Sequence, residues 1–247
     1  MLGSPFNPHE PLGRVDVAPD RLNHSAPRRA ICSRCQRPLR TCLCALVQPT
    51  AHRTDVLVLQ HPHEAREAKN SVALLRLSLA SCTVAVGERF APDALHALLH
   101  PPGMAVRLLY PDVPAAPAPA ITSAHALDPH TPLRLVVIDA TWRKSLRMLL
   151  EHPALAVLPR LTLSNPAPTR YRAIRAARHA NQLSTLEATV HALATIEGDG
   201  FDGGPLLAAF GRFVDCLADR SAMRAVACGM ATDANEASWA SSEAARP

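Results

Sequence analysis

Four of the chain's seven cysteines fall between positions 32 and 44, as Cys32-x-x-Cys35 followed by Cys42-x-Cys44. Two thiolates spaced this way form a knuckle for tetrahedral zinc, and the tight second pair closes a four-sulfur shell. The loop between the pairs holds Arg37, Pro38 and Arg40. With all four thiols engaged no coordination position stays open, so the site reads as structural, with zinc favoured over an iron–sulfur cluster. Unrelated buried cysteines explain such clustering poorly. Cys82, Cys216 and Cys228 stand in apolar or tail contexts and read as ordinary small residues.

The second constellation is LRLVVIDATWRKSLRMLL, from Leu133. A buried strand ends at Asp139, and Ala140 and Thr141 lead into a helix opening at Trp142. Ligands of open α/β sheets bind at the carboxyl ends of strands, so Asp139 stands where chemistry happens. The competing use of Asp139 is as a helix N-cap. Helical spacing puts Trp142, Leu146, Leu149 and Leu150 on one stripe and Arg143, Lys144 and Arg147 on the opposite face. Gln60-His61-Pro62-His63-Glu64 follows another strand and also lies at a carboxyl end; His61 fits a satisfied turn histidine equally well. Ser184-Thr185-Leu186-Glu187 fits a capping box, Ser184 capping and Glu187 at the third helical position. A literal G-x-G-x-x-G at Gly198–Gly203 follows a helix and carries Asp199 and Asp202, which would repel a pyrophosphate, so it reads as a helix-to-helix turn. No P-loop and no H-E-x-x-H occurs, which removes the nucleoside-triphosphatase and zinc-protease readings.

The elements that must hold these residues alternate along the chain. Strands are expected at Asp55–Leu59, Cys82–Val86, Val106–Leu109 and Leu133–Ile138, with a weaker one at Arg160–Leu163. Helices are expected at Glu64–Leu79, Pro92–Leu99, Trp142–Leu150, Ser184–Ile196 and Pro205–Ala218. Apolar, unalternating strands separated by helices predict an α/β fold, a mostly parallel sheet with helices on both faces. The expected order is an arm at 1–27, the four-cysteine module at 28–50, a catalytic domain at 51–228 and a tail at 229–247. Within that domain a Pro/Ala-rich loop occupies 111–132.

The 247 residues are 48% hydrophobic and 19% charged, with a net charge of +5, so a wholly disordered chain is excluded. Positive charge is almost all arginine, the better fork for phosphate. It gathers in two stretches: Arg28, Arg29, Arg34, Arg37 and Arg40, then Arg143, Lys144, Arg147, Arg160, Arg170, Arg172, Arg175 and Arg178 with Glu151 as the one acid. Two basic stretches on an otherwise acidic body point to an anionic partner; a solvated helix face is the alternative. No apolar run suits a membrane span and no signal peptide is evident, so a cytoplasmic protein with reduced thiols and no membrane partner is expected.

Taken in order, Cys32-x-x-Cys35…Cys42-x-Cys44, Gln60-His61-Pro62-x-Glu64, Leu108-Leu109-Tyr110-Pro111, Asp139-x-Thr141-Trp142 and Ser184-Thr185-x-Glu187-Ala188 resemble the DTW-domain family of tRNA-uridine aminocarboxypropyltransferases. The resemblance covers roughly residues 30–220, and the ordered set is specific where each motif alone is modest. It implies a fold related to the knotted SPOUT transferases, and S-adenosylmethionine as co-substrate. The implied reaction moves the 3-amino-3-carboxypropyl group to N3 of a tRNA uridine and releases methylthioadenosine. Carried over, the motifs make Gln60, His61, Leu109, Tyr110, Pro111, Thr141, Trp142, Ser184, Thr185 and Glu187 the cofactor-binding candidates. The N3 proton must leave, so a carboxylate nearby is needed: Asp139 first, Glu64 in reserve. Trp142 either stacks on a base or packs under its helix. tRNA would lie along Arg143, Lys144, Arg147, Arg170, Arg172, Arg175 and Arg178, with Arg37 and Arg40 as a second contact. No stable protein partner is expected. The alternatives are a methyltransferase using the same co-substrate and a non-enzymatic zinc-dependent RNA-binding module.

Overall fold

A computed structural model describes residues 30–111, 131–163 and 183–219, and those from Ile31 onward belong to one compact unit. Five strands form its sheet: β1 (Asp55–Gln60), β2 (Cys82–Val86), β3 (Ala105–Leu109), β4 (Leu133–Asp139) and β5 (Arg160–Leu161). Every pairing is parallel, in the order β2-β1-β4-β3-β5. The α/β expectation holds. Helices are α1 (Pro62–Ala65), α2 (Val72–Ser78), α3 (Pro92–Leu99), α4 (Trp142–Glu151), α5 (Pro153–Ala156), α6 (Thr185–Glu197) and α7 (204–219). The arm at 1–27, most of the loop at 111–132 and the tail at 229–247 fall outside the described residues. So does the stretch 164–182.

Successive side chains of a strand point to opposite faces, and β1 and β4 are apolar on both. Val56, Val58, Leu135 and Val137 meet α2, α6 and α7 through Leu75, Val190, Leu193 and Phe210. Leu57, Leu59 and Val136 meet α3, α4 and α5 through Leu95, Leu99, Met148, Leu149 and Leu155. Each fully buried leucine contributes about 1.5–3 kcal/mol, so the sheet is a rigid platform for whatever sits on its ends. At the amino end of the strands, Arg134 pairs with the buried Asp55, and Glu197 accepts the backbone N–H groups of Arg53 and Thr54. Those acids hold the fold together. Among the described residues no helix is long and apolar enough to cross a membrane.

Two local expectations change. The single helix expected over Glu64–Leu79 is two, broken by a turn at 66–71. Asn70 breaks it: its Oδ1 accepts the Val72 N–H at 2.9 Å, a side-chain bond that competes with the helical ladder. On α4 the buried stripe is Ser145, Met148 and Leu149, while Trp142 and Leu150 are exposed. A small polar residue at the stripe's centre displaced the apparent apolar face. The glycine motif is a turn, as expected: Gly198 ends α6 at φ +56°, and a Cβ on Gly203 would come within 2.4 Å of Val190.

Candidate functional site

β1 and β4 lie side by side, yet their chains leave in opposite directions, β1 towards β2 and β4 towards β5. Such a divergence opens a crevice at the carboxyl ends of the two strands. The last residues of both, Gln60 and Asp139, are register partners there. Gln60 Nε2 donates to Asp139 Oδ2 at 2.9 Å, and Asn70 Nδ2 donates to the same oxygen at 2.7 Å. The Thr185 hydroxyl donates to Asp139 Oδ1 at 2.5 Å. Asn70 Oδ1 in turn accepts from Gln60 Nε2 at 3.2 Å, so the acceptor and donor ends of its amide are assigned by the network itself. Asp139 is 5% exposed, and three donors from three separate segments hold its carboxylate in one orientation.

Asp139 is not an N-cap. That position on α4 belongs to Thr141, whose side chain makes no capping bond. Sequence reasoning missed Asn70, hidden inside an expected helix, although Asn-Ser ahead of an apolar run is a helix-start signal that could have found it. Ser184 and Glu187 complete the expected capping box: Glu187 N–H donates to Ser184 Oγ at 3.2 Å, and Ser184 N–H to Glu187 Oε2 at 2.9 Å. Both are buried at the start of α6, where they aim the intervening Thr185 at Asp139.

His61 caps α1. Its Nδ1 accepts the His63 N–H at 3.1 Å, which leaves the proton on Nε2, 3.7 Å from Glu88. Its own N–H donates to the Asp139 carbonyl at 2.9 Å. Burial holds this imidazole below its ordinary pKa, with Lys144 adding to the effect. Glu64 is buried on the same short helix. Across the crevice, burial pushes the Tyr110 phenol up, and its hydroxyl shares a hydrogen bond with Ser145 at 3.1 Å. Its ring meets Trp142 edge-on, centroids 6.2 Å apart. Trp142 is 52% exposed and therefore does not pack under its helix. Leu109 is half-buried in the sheet and Pro111 is exposed.

The four cysteine sulfurs lie within 4.8 Å of one another, with Cys32 and Cys44 3.7 Å apart and Cys35 and Cys42 3.8 Å apart. A tetrahedron of sulfurs about 2.3 Å from a zinc ion has edges of about 3.8 Å, so the shell fits that metal. Backbone N–H groups of Cys35 and Arg34 lower Cys32 to about 6, while burial and the other sulfurs push Cys44 up to about 12. Gln36 takes φ +57° to turn the knuckle.

The expected RNA contacts divide. Arg170, Arg172, Arg175 and Arg178 lie outside the described residues. Arg40 and Arg143 are exposed and Lys144 is half-buried, none with an ion-pair partner within 4.0 Å among the described residues. Arg147 is paired with Glu151 at 2.7 Å and Glu88 at 3.4 Å. Arg37 is engaged within the fold: it donates to the carbonyls of Thr41, Asn70 and Ala68 and stands over the Phe213 ring.

Comparison with known proteins bears on the whole arrangement. The family model described as the DTW domain matches residues 29–218. The chain is 32% identical over 194 residues to tRNA-uridine aminocarboxypropyltransferase 2 of Drosophila melanogaster, covering 75% of this chain and 72% of that one. It is 34% identical over 139 residues to tRNA-uridine aminocarboxypropyltransferase A of Arabidopsis thaliana, covering 49% and 51%. Against tRNA-uridine aminocarboxypropyltransferase 2 of Macaca fascicularis it is 28% identical over 183 residues, covering 71% and 59%. The chain thus spans a little over half the length of the plant and macaque relatives. No solved structure matches it significantly.

Proposed function

Because the chain belongs to the DTW-domain family, we propose that it modifies tRNA by transferring the 3-amino-3-carboxypropyl group of S-adenosylmethionine to N3 of a uridine. The observation that carries this reading is the convergence of the motif residues Gln60, Asp139 and Thr185 in one hydrogen-bonded cluster at the divergence of β1 and β4. In the reaction the uridine N3–H loses its proton to a carboxylate, the N3 electron pair forms the bond to the γ carbon, and the carbon–sulfur bond breaks onto sulfur. Methylthioadenosine leaves. Positioning the two substrates in line supplies much of the acceleration.

Asp139 is the carboxylate assigned to this step, because the donors fixed on it give it the single orientation that a base or charge partner needs. Glu64, buried on α1, is the alternative acceptor. Gln60 and Thr185 act by holding Asp139, and Ser184 with Glu187 act by placing Thr185. The exposed Trp142 face, steadied by Tyr110, serves as a stacking platform for a base or the adenine. The uncapped start of α4, with Thr141 and no acid in its first turn, suits the carboxylate of the co-substrate; His61, Leu109 and Pro111 border the same end of the sheet. Arg40, Arg143 and Lys144, with Arg170, Arg172, Arg175 and Arg178, form the surface offered to tRNA phosphates. The cysteine shell holds one structural zinc.

Incubating the purified protein with unmodified tRNA and S-adenosylmethionine, then resolving nucleosides and small products by mass spectrometry, tests the reading. Aminocarboxypropyluridine with methylthioadenosine supports it. S-adenosylhomocysteine with a methylated nucleoside would replace it with methyl transfer.

A further inference from the structure

Arg37 is the side chain whose geometry departs most from a surface role. Its Nε donates to the Thr41 carbonyl at 3.0 Å, inside the cysteine segment and next to Cys42. The same guanidinium donates to the carbonyls of Asn70 at 3.3 Å and Ala68 at 2.5 Å, in the turn that interrupts the first helix pair. Phe213 of α7 lies against it, 5.5 Å from ring centroid to guanidinium carbon. One planar cation therefore ties three parts of the fold, a geometry that suits arginine and that a single ammonium would not reproduce. Asn70, whose carbonyl it holds, sends its side chain to Asp139 and Gln60.

We propose that Arg37 is a positioning residue that couples the metal-bound cysteine segment to Asp139, acting through the 66–71 turn and the Asn70 side chain. The physical reason lies in how directly one guanidinium bridges the two. Between Ile31 and Leu46 the cysteine segment has only two short 3-10 turns, Leu39–Thr41 and Cys44–Leu46, and an isolated bridge from Ile31 to Pro38. Cys35 and Leu43 seat the segment in the core, and a metal held by the four sulfurs adds folding energy to it. The Thr41 carbonyl, next to Cys42, is set by that shell, and Arg37 with it. The 66–71 turn in its own right has one internal backbone bond, Asn70 N–H to the Glu67 carbonyl at 3.0 Å. Two guanidinium bonds on its carbonyls add to the side-chain bonds of Asn70 in fixing it. If Arg37 lets go, Asn70 loses its aim, and Asp139 loses one of the two amides on its Oδ2. A second tie runs the same way, from Arg76 of α2 to the Arg34 carbonyl at 3.2 Å. The four cysteines then serve the site as well as the fold.

This rests on the proposed reaction and on the cysteines holding a metal, so the test carries a readout independent of both. Full-length wild type, Arg37→Ala, Arg37→Lys, Asn70→Ala and the Arg37→Ala/Asn70→Ala double variant are compared. Metal content and thermal midpoint are measured, with the exchange rate of the Val72 amide by NMR, and kcat and KM for each substrate. Val72 reports directly, because its N–H is held by Asn70 Oδ1. The expected result is a metal-replete Arg37→Ala protein whose Val72 amide exchanges faster and whose kcat falls roughly 3- to 30-fold, the range for residues that couple two parts of a fold. KM for tRNA stays within about twofold, since uniform loss of binding is not the defect. Asn70→Ala matches it and the double variant is no worse, the signature of a shared route. Arg37→Lys, which preserves charge but not the fork, recovers little. A raised KM for tRNA with kcat intact would make Arg37 an RNA contact and overturn the proposal. So would wild-type exchange at Val72 in Arg37→Ala, or in Arg37→Lys should the alanine variant fail to fold. Should the wild type transfer nothing, the reaction assigned above falls and Val72 exchange alone decides the coupling.

Discussion

Replacing Asp139 with asparagine separates the charge of this carboxylate from its hydrogen bonds. In the wild type, Oδ2 accepts from two amides and Oδ1 from one hydroxyl. An asparagine can place its oxygen at the Oδ2 site and keep both amide donors. Its NH2 then faces Thr185, whose hydroxyl rotates from donor to acceptor. The number of bonds is preserved, but each loses its charge assistance, about half its strength. Starting from about 1.5–3 kcal/mol for a bond to a charged group, and with relief of a buried charge partly offsetting the loss, the net cost is about 1–3 kcal/mol. For a domain of this size the thermal midpoint falls by roughly 3–10 °C. Asp139→Ala instead removes the acceptor that buried Gln60, half-buried Asn70 and Thr185 share and costs more, about 3–5 kcal/mol. Transfer should separate from stability: Asp139→Asn folds yet loses roughly 100-fold or more in rate, the scale of a positioned base. Steady-state transfer to unmodified tRNA, with thermal melts of both variants, makes the comparison. Near-wild-type turnover in folded Asp139→Asn would refute the catalytic assignment and move it to Glu64. An asparagine variant as unstable as the alanine would refute the hydroxyl-rotation argument.

Other consequences are open to measurement. Metal analysis of protein purified without chelator should find about one zinc per chain, and chelation should lower the thermal midpoint. Trp142→Ala, removing an exposed side chain, should leave stability within about 0.5 kcal/mol while weakening tRNA or co-substrate binding by about 1–3 kcal/mol, read by calorimetry. Replacing Arg143 and Lys144 together should weaken tRNA binding and reduce the slope of log affinity against log salt by roughly 0.7–0.9 per lost phosphate contact, whereas Arg147→Ala should change it less because that side chain is already paired. Burial lowers the His61 pKa, so below about 6.5 the unfolded chain takes up its proton more readily than the folded one, and stability should fall as pH drops through that range. His61→Asn, which retains an N-cap, should flatten that fall in denaturant titrations across pH.

What could be read from the chain alone was whatever is encoded within a few residues. The cysteine spacing announces a four-sulfur shell because its ligands are neighbours in sequence, and the folded sulfurs stand at zinc-like separations. The capping box at Ser184 and the strand ending at Asp139 are equally local, since caps and apolar runs act over one turn or one strand. Strand order is not local. That β4 inserts between β1 and β3, bringing Gln60 beside Asp139 across 79 positions, depends on pairing between distant segments. The same distance hid Asn70, an ordinary polar residue until the fold sets it 2.7 Å from Asp139, and the bond from Thr185, a motif residue whose hydroxyl reaches Asp139 only in the fold. It also hid the employment of Arg37: in sequence a basic residue in a basic stretch, in the fold a cation held by carbonyls more than thirty positions away. Local chemistry decided which side chains were available; the pairing of β1 with β4, and the turn packed against the cysteine segment, decided which of them meet.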